Sequence, residues 1–138
     1  MNQANKNGAQ WEERVRCAIQ HPNSINVSGR KLYKYLAEQG IDYKDIISSM
    51  IIPDEAYIDG VTLYVYEKKY QCTAGSTDEK LQTCDFKIKQ FRKIAAALGL
   101  EDVQYKYLLN EWFAASKYRD VLRYITTIPG CSAEIIVG

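Results

Sequence analysis

A single histidine, His21, stands in 138 residues, and it precedes Pro22 in a segment that reads as a loop. Histidine-based triads and zinc sites have little to build on here. The four cysteines, Cys17, Cys72, Cys84 and Cys131, form no CxxC pair and have no histidine cluster beside them. They read as buried free thiols in a reducing compartment. No glycine-rich loop suits a nucleotide, because Gly75-Ser76 lacks the P-loop spacing. No apolar stretch approaches the ~20 residues a membrane span needs. Residues 1–10 are polar, so no secretory signal is visible and the cytoplasm is the expected compartment, with no membrane partner. Net charge is only +1, which does not advertise a nucleic-acid binder by itself.

What is present fits one domain over residues 1–138, with 46% hydrophobic and 25% charged residues. Trp11, Val15, Ala18 and Ile19 recur at helical spacing and predict a helix over roughly 9–20. Ser28 is placed to cap a second helix through about Glu38, which Gly40 ends. Tyr43–Met50 suggests a helix followed by an incoming strand. Ser76 and Glu79 form a capping box for a helix running to about Leu98, closed by Gly99. Val103–Leu109 reads as a strand, Tyr118–Ile125 as a helix and Ala133–Val137 as a last strand. The order implies an α/β fold with a central mixed β-sheet flanked by helices. Residues 80–93 carry Lys80, Lys87, Lys89, Arg92 and Lys93 against Asp85 alone, a run that suits a solvated helix face or a phosphate-binding one.

The most informative segment is a predicted hairpin, Ile51–Ile58 and Val61–Lys69 around Asp59-Gly60. A primed turn needs φ > 0, which glycine supplies. With Asp59 and Gly60 as the turn, Ile58 faces Val61 and Asp54 faces Val65. Alternation then puts Asp54, Ala56 and Ile58 on one face with Val61, Leu63, Val65, Glu67 and Lys69. A longer loop with a bulge would shift that register by one residue. Asp54 and Glu67 come within joint reach of one cation, at the roughly 7–8 Å of diagonal neighbours. Asp59 is the competing acid, but on a continuous strand eight residues would hold it about 26 Å from Glu67. Two carboxylates and an ammonium on one face can hold a divalent metal and activate water.

Pro53-Asp54 and Glu67-Lys68-Lys69 resemble the signature of the PD-(D/E)XK nuclease superfamily. Gln71 follows the lysine by two residues, as in many of these enzymes. Gly75-Ser76-Thr77-Asp78-Glu79-Lys80-Leu81 is similar to a segment of a group of type II restriction endonucleases. The resemblance covers roughly residues 8–110 and implies a restriction-endonuclease-like core. Gly8-Ala9-Gln10-Trp11-Glu12-Glu13-Arg14-Val15 resembles the family's first-helix pattern, implying Glu12, with Glu13 as the alternative, as a further acid of the metal site.

The resemblance implies Mg²⁺-dependent hydrolysis of phosphodiester bonds in double-stranded DNA, with Mn²⁺ as a possible substitute ion. Asp54, Glu67 and the Lys68 carbonyl would hold the metal, Lys69 would act on water and transition state, and Gln71 would sit at the site edge. Ser76, Lys80 and Lys87 are the candidate phosphate contacts. A site-specific endonuclease this short is expected to be a homodimer. The near-neutral charge suits a nuclease subunit of a repair, resolvase or nicking complex, whose recognition comes from a partner. A non-catalytic DNA-binding relative is the third reading, against which the intact acids and lysine stand.

Overall fold

The structure, a computed structural model, describes residues 3–73, 75 and 77–138. Five strands, β1 (Ile25–Asn26), β2 (Glu55–Asp59), β3 (Thr62–Lys69), β4 (Asp102–Leu109) and β5 (Cys131–Ile135), form one sheet in that order. The helices are α1 (Gln3–Ala18), α2 (Lys31–Glu38), α3 (Thr77–Leu81), α4 (Cys84–Ala97) and α5 (Arg119–Thr127). β1–β2 and β2–β3 are antiparallel, whereas β3–β4 and β4–β5 are parallel. A two-residue turn suffices for the first kind of connection; the second needs a crossover, which α3–α4 and then α5 supply. The fold is α/β, a mixed five-stranded sheet flanked by helices. Among the described residues, no helix is long and apolar enough to cross a membrane.

The sheet divides two cores. Val65, Leu63, Tyr105, Tyr107 and Leu109 point to one face, where Ile88, Phe91 and Ile94 of α4, Ile125 of α5 and Leu32 and Leu36 of α2 cover them. On the other face, Trp11 and Val15 of α1 pack with Leu108 and Ile136, and the Trp11 indole N–H donates to the Ile136 carbonyl at 3.0 Å. Leu108 alternates with Tyr107 and Leu109 along β4, so the strand's period of two separates these cores.

Several expected boundaries move. Ser28 does not cap α2; its hydroxyl accepts from the Ala56 N–H at 3.0 Å and ties this segment to β2. After Gly40, at φ +77, the chain makes only a short 3₁₀ turn at Tyr43–Asp45. No strand forms between that turn and Glu55. The single helix expected through Leu98 is two helices, broken where the Thr83 hydroxyl donates to the Lys80 carbonyl at 2.7 Å. A hydroxyl that satisfies a helix-end carbonyl competes with continuation of the helix. Cys84 and Cys131 are buried as expected, but Cys17 and Cys72 are exposed.

Candidate active site

The hairpin turns at Gly60-Val61 rather than Asp59-Gly60. Asp59 pairs with Thr62 and Glu55 with Tyr66. Gly60 takes φ +64 and no described non-glycine residue has positive φ, so glycine fills the first central position of a primed turn. The register moves by two residues, not one, so every side chain keeps its expected face. One step beyond the last pair, Asp54 now stands opposite Glu67 instead of Val65. Its Oδ2 accepts from the Lys68 main-chain N–H at 2.8 Å, anchoring the acid at the mouth of the hairpin.

Glu67 is 6% exposed, on the face that α4 covers. Burial pushes its carboxyl up to about 8, and the hydrogen-bonded Asp54 carboxylate beside it adds to the rise. The ammoniums of Lys87 and Lys69 pull the other way. Lys69 lies two residues beyond Glu67, on the same face and half-buried. Lys87 acts on the acid from α4 through its charge. A buried acid facing an exposed one, with two cations at their border, is hard to ionise beside its neighbour's charge unless a further positive charge joins them.

The other expected site residues divide between the faces. Gln71 is buried, 8% exposed, and neither its Oε1 nor its Nε2 has a hydrogen-bond partner among the described residues. Lys80 is exposed on α3, and its carbonyl accepts from the Tyr107 hydroxyl at 3.4 Å as well as from the Thr83 hydroxyl. Ser76 lies outside the described residues, and with it the capping box and its phosphate contact. Glu12 is not brought to the acids. Its Oε2 stands 3.2 Å from Lys68 Nζ, and Lys68 also pairs with Glu55 Oε2 at 3.3 Å, all on the α1 face. Burial draws the Lys68 ammonium down, but Glu12 and Glu55 outweigh it and hold it above its ordinary value. The reason is parity: Lys68 and Glu67 are adjacent on β3, so their side chains point to opposite faces. Glu13 pairs with Arg16 at 3.0 Å on the exposed side of α1.

Sequence reasoning missed three participants. Tyr105, on the Glu67 face, is fully buried with its hydroxyl unpartnered; burial, then the nearby Glu67 charge, holds its proton on. Asn110 holds Gln71 by two hydrogen bonds. His21 lies on the far face: its Nδ1 is 2.9 Å from Asp59 Oδ2, its Nε2 2.6 Å from the Tyr66 hydroxyl, and its ring stacks on Tyr57. Asp59, the competing acid, is thereby committed to the opposite side of the sheet from Glu67. Only the alternation of tyrosines at 64 and 66 hinted at such an aromatic box.

The chemistry of the donor set suits a hard divalent cation. Asp54 and Glu67 offer oxygen, and the buried, unsatisfied Gln71 amide and Tyr105 hydroxyl show polar demand that the described residues leave unmet. Among the described residues no group of three His, Cys, Asp or Glu side chains converges on one point. Two carboxylates with water filling the rest is a pattern that Mg²⁺ accepts and structural zinc does not. The pair also lies at the carboxyl end of parallel β3, where open α/β sheets bind ligands. Comparison with family models, with curated proteins and with solved structures finds no match to this chain.

Proposed function

We propose that this chain is a metal-dependent endonuclease with a restriction-endonuclease-like core, hydrolysing phosphodiester bonds in double-stranded DNA. One observation carries the reading: Asp54 and Glu67 oppose each other across the hairpin, with Lys69 on the same face and Glu67 pushed up to about 8. Burying an acid beside another acid is costly for stability and serves a purpose when a cation completes the site. Asp54 and Glu67 would hold Mg²⁺, with the Lys68 carbonyl as the third protein oxygen; Mn²⁺ would fit the same oxygens. The ion supplies positive charge against the phosphate oxygens and favours deprotonation of water.

The chain's own residues do the rest. Lys69 orients the attacking water and meets charge developing on the phosphorus oxygens. Lys87, on the opposite wall, attracts the scissile phosphate. Gln71 donates from its amide at the edge of the site, and Lys80 offers a more distant phosphate contact. A homodimer would place two such sites on the two strands. The net charge of +1 favours, as a second reading, a nuclease subunit whose recognition comes from a partner.

Cleavage of supercoiled plasmid DNA with Mg²⁺ tests this directly. The parent should cut, and Asp54→Ala and Lys69→Ala should each lose about 10²-fold or more in rate, the scale of a removed transition-state contact. Cleavage at the parental rate by both variants would sink the site assignment. Discrete bands from linear DNA support the dimeric, site-specific form, whereas nicking alone supports the partner-dependent one.

A further inference from the structure

The ladder between β3 and β4 ends at the pair Lys69–Leu109. Beyond it, Asn110 turns into the 3₁₀ segment Glu111–Ala114, and its carbonyl is taken by the Phe113 N–H at 3.1 Å. Its main chain therefore leaves the sheet where β3 ends, and Gln71 lies two residues beyond that end. The Asn110 side chain fills that gap. Oδ1 accepts from the Gln71 main-chain N–H at 3.1 Å, and Nδ2 donates to the Gln71 carbonyl at 2.7 Å. A carboxamide carries the same donor and acceptor as a peptide group, so this pair works as one further rung. Asn110 is itself 9% exposed, so little water competes for the two bonds.

The rung has a consequence for direction. Extended geometry continued through position 71 puts Gln71 on the same face as Glu67 and Lys69. Its amide then lies buried with both polar atoms unpartnered among the described residues, an arrangement that stays costly until a ligand completes it. Four residues at ~3.3 Å each place Gln71 about 13 Å along the strand from Glu67. It therefore addresses a phosphate next to the scissile one rather than the ion.

We propose that Asn110 is a positioning residue that keeps Gln71 in strand register, so that its amide meets the phosphodiester backbone beside the Asp54–Glu67 pair. This rests on the nuclease reading above. The test combines steady-state cleavage of plasmid DNA in Mg²⁺ with amide hydrogen exchange at Gln71. Asn110→Ala and Gln71→Ala should each raise KM about ten-fold, the worth of one charge-assisted hydrogen bond, and leave kcat within roughly two-fold. The double variant should be no worse than either single, because both remove the same contact. The Gln71 main-chain amide should lose protection in Asn110→Ala. Asn110→Asp retains the acceptor for that amide and should recover part of KM; it also serves as the comparison if Asn110→Ala does not fold.

An unchanged KM in Asn110→Ala, or a double variant equal to the product of the singles, overturns the proposal. Lowered thermal stability with parental KM does the same, by making the rung merely structural. A parent that cuts no plasmid DNA overturns the nuclease reading and the substrate contact with it. Retained protection at Gln71 in Asn110→Ala overturns the positioning alone.

Discussion

Glu67 concentrates the conflict of this molecule in one side chain. Its folded carboxyl holds a proton up to about pH 8, while in the unfolded chain the group titrates near 4.5. Between those values the folded state carries the extra proton, so stability falls as pH rises. The contribution is fully present below about 4.5 and is lost as pH passes through about 8. Urea unfolding of the metal-free protein should therefore show a midpoint that declines from pH 5 to pH 8. Glu67→Gln should flatten that decline, because glutamine cannot ionise. On the proposed function Mg²⁺ would act in the opposite direction: by binding the carboxylate and displacing the proton it should raise the midpoint more at pH 8 than at pH 6. A midpoint in Glu67→Gln that still declines with the parental slope would assign the effect to another group. The acid and its neighbour were both legible as residues in the sequence, since Pro53-Asp54 and Glu67-Lys68-Lys69 are short and local. That Glu67 would be buried under α4, with Lys87 at its border, was not. Burial depends on which helix covers which face, and no window of sequence contains both partners.

At the scale of elements, turns and crossovers set what alternation alone leaves open. The turn glycine was correctly expected as the source of positive φ, yet it occupies the first central position and Val61 the second. Asp-Gly and Gly-Val turns differ by two residues in register and not at all in facing, which is why Asp54, Glu67 and Lys69 share a face despite the wrong pairing. Asp59, spared from the turn, is held by His21 across 38 residues of chain. A local reading has no access to that contact. The Ser28 boundary failed for a similar reason, its partner Ala56 lying 28 residues away, whereas the break at Thr83 is local, its hydroxyl donating to the Lys80 carbonyl three residues back. The entry to β5 shows how tightly the last crossover is fitted. Gly130 has φ +82, and a Cβ there would stand 2.7 Å from Ile88 Cδ1 and 2.9 Å from the Val103 carbonyl oxygen. Backbone oxygen cannot retreat as a side-chain end can, and the left-handed conformation adds its own strain. Gly130→Ala should cost about 2–5 kcal/mol in urea unfolding with an unchanged m-value. A loss below ~1 kcal/mol would mean that β5 can shift along β4 without resistance.

Taken whole, the molecule uses its sheet as a partition. The face under α2, α4 and α5 holds the larger core and, at its open end, Asp54, Glu67, Lys69, Lys87 and Gln71. The face under α1 holds the smaller core, the His21 box and the ion pairs of Lys68 with Glu12 and Glu55. The first-helix acid implied by the nuclease resemblance thus falls on the wrong side of the partition to join the Asp54–Glu67 pair. This separation makes Glu12 a sharp discriminator. If the partition governs function, Glu12→Gln should leave the Mg²⁺ concentration needed for half-maximal cleavage unchanged, while Asp54→Asn removes cleavage. The loss of the Glu12–Lys68 pair should cost no more than about 1 kcal/mol, because the Glu12 side chain is 44% exposed and Lys68 keeps Glu55. A several-fold rise in the Mg²⁺ requirement of Glu12→Gln would show that α1 swings its acid around the strand end when DNA binds. In that event the two faces act as one site, and the ion pair seen here is its resting arrangement.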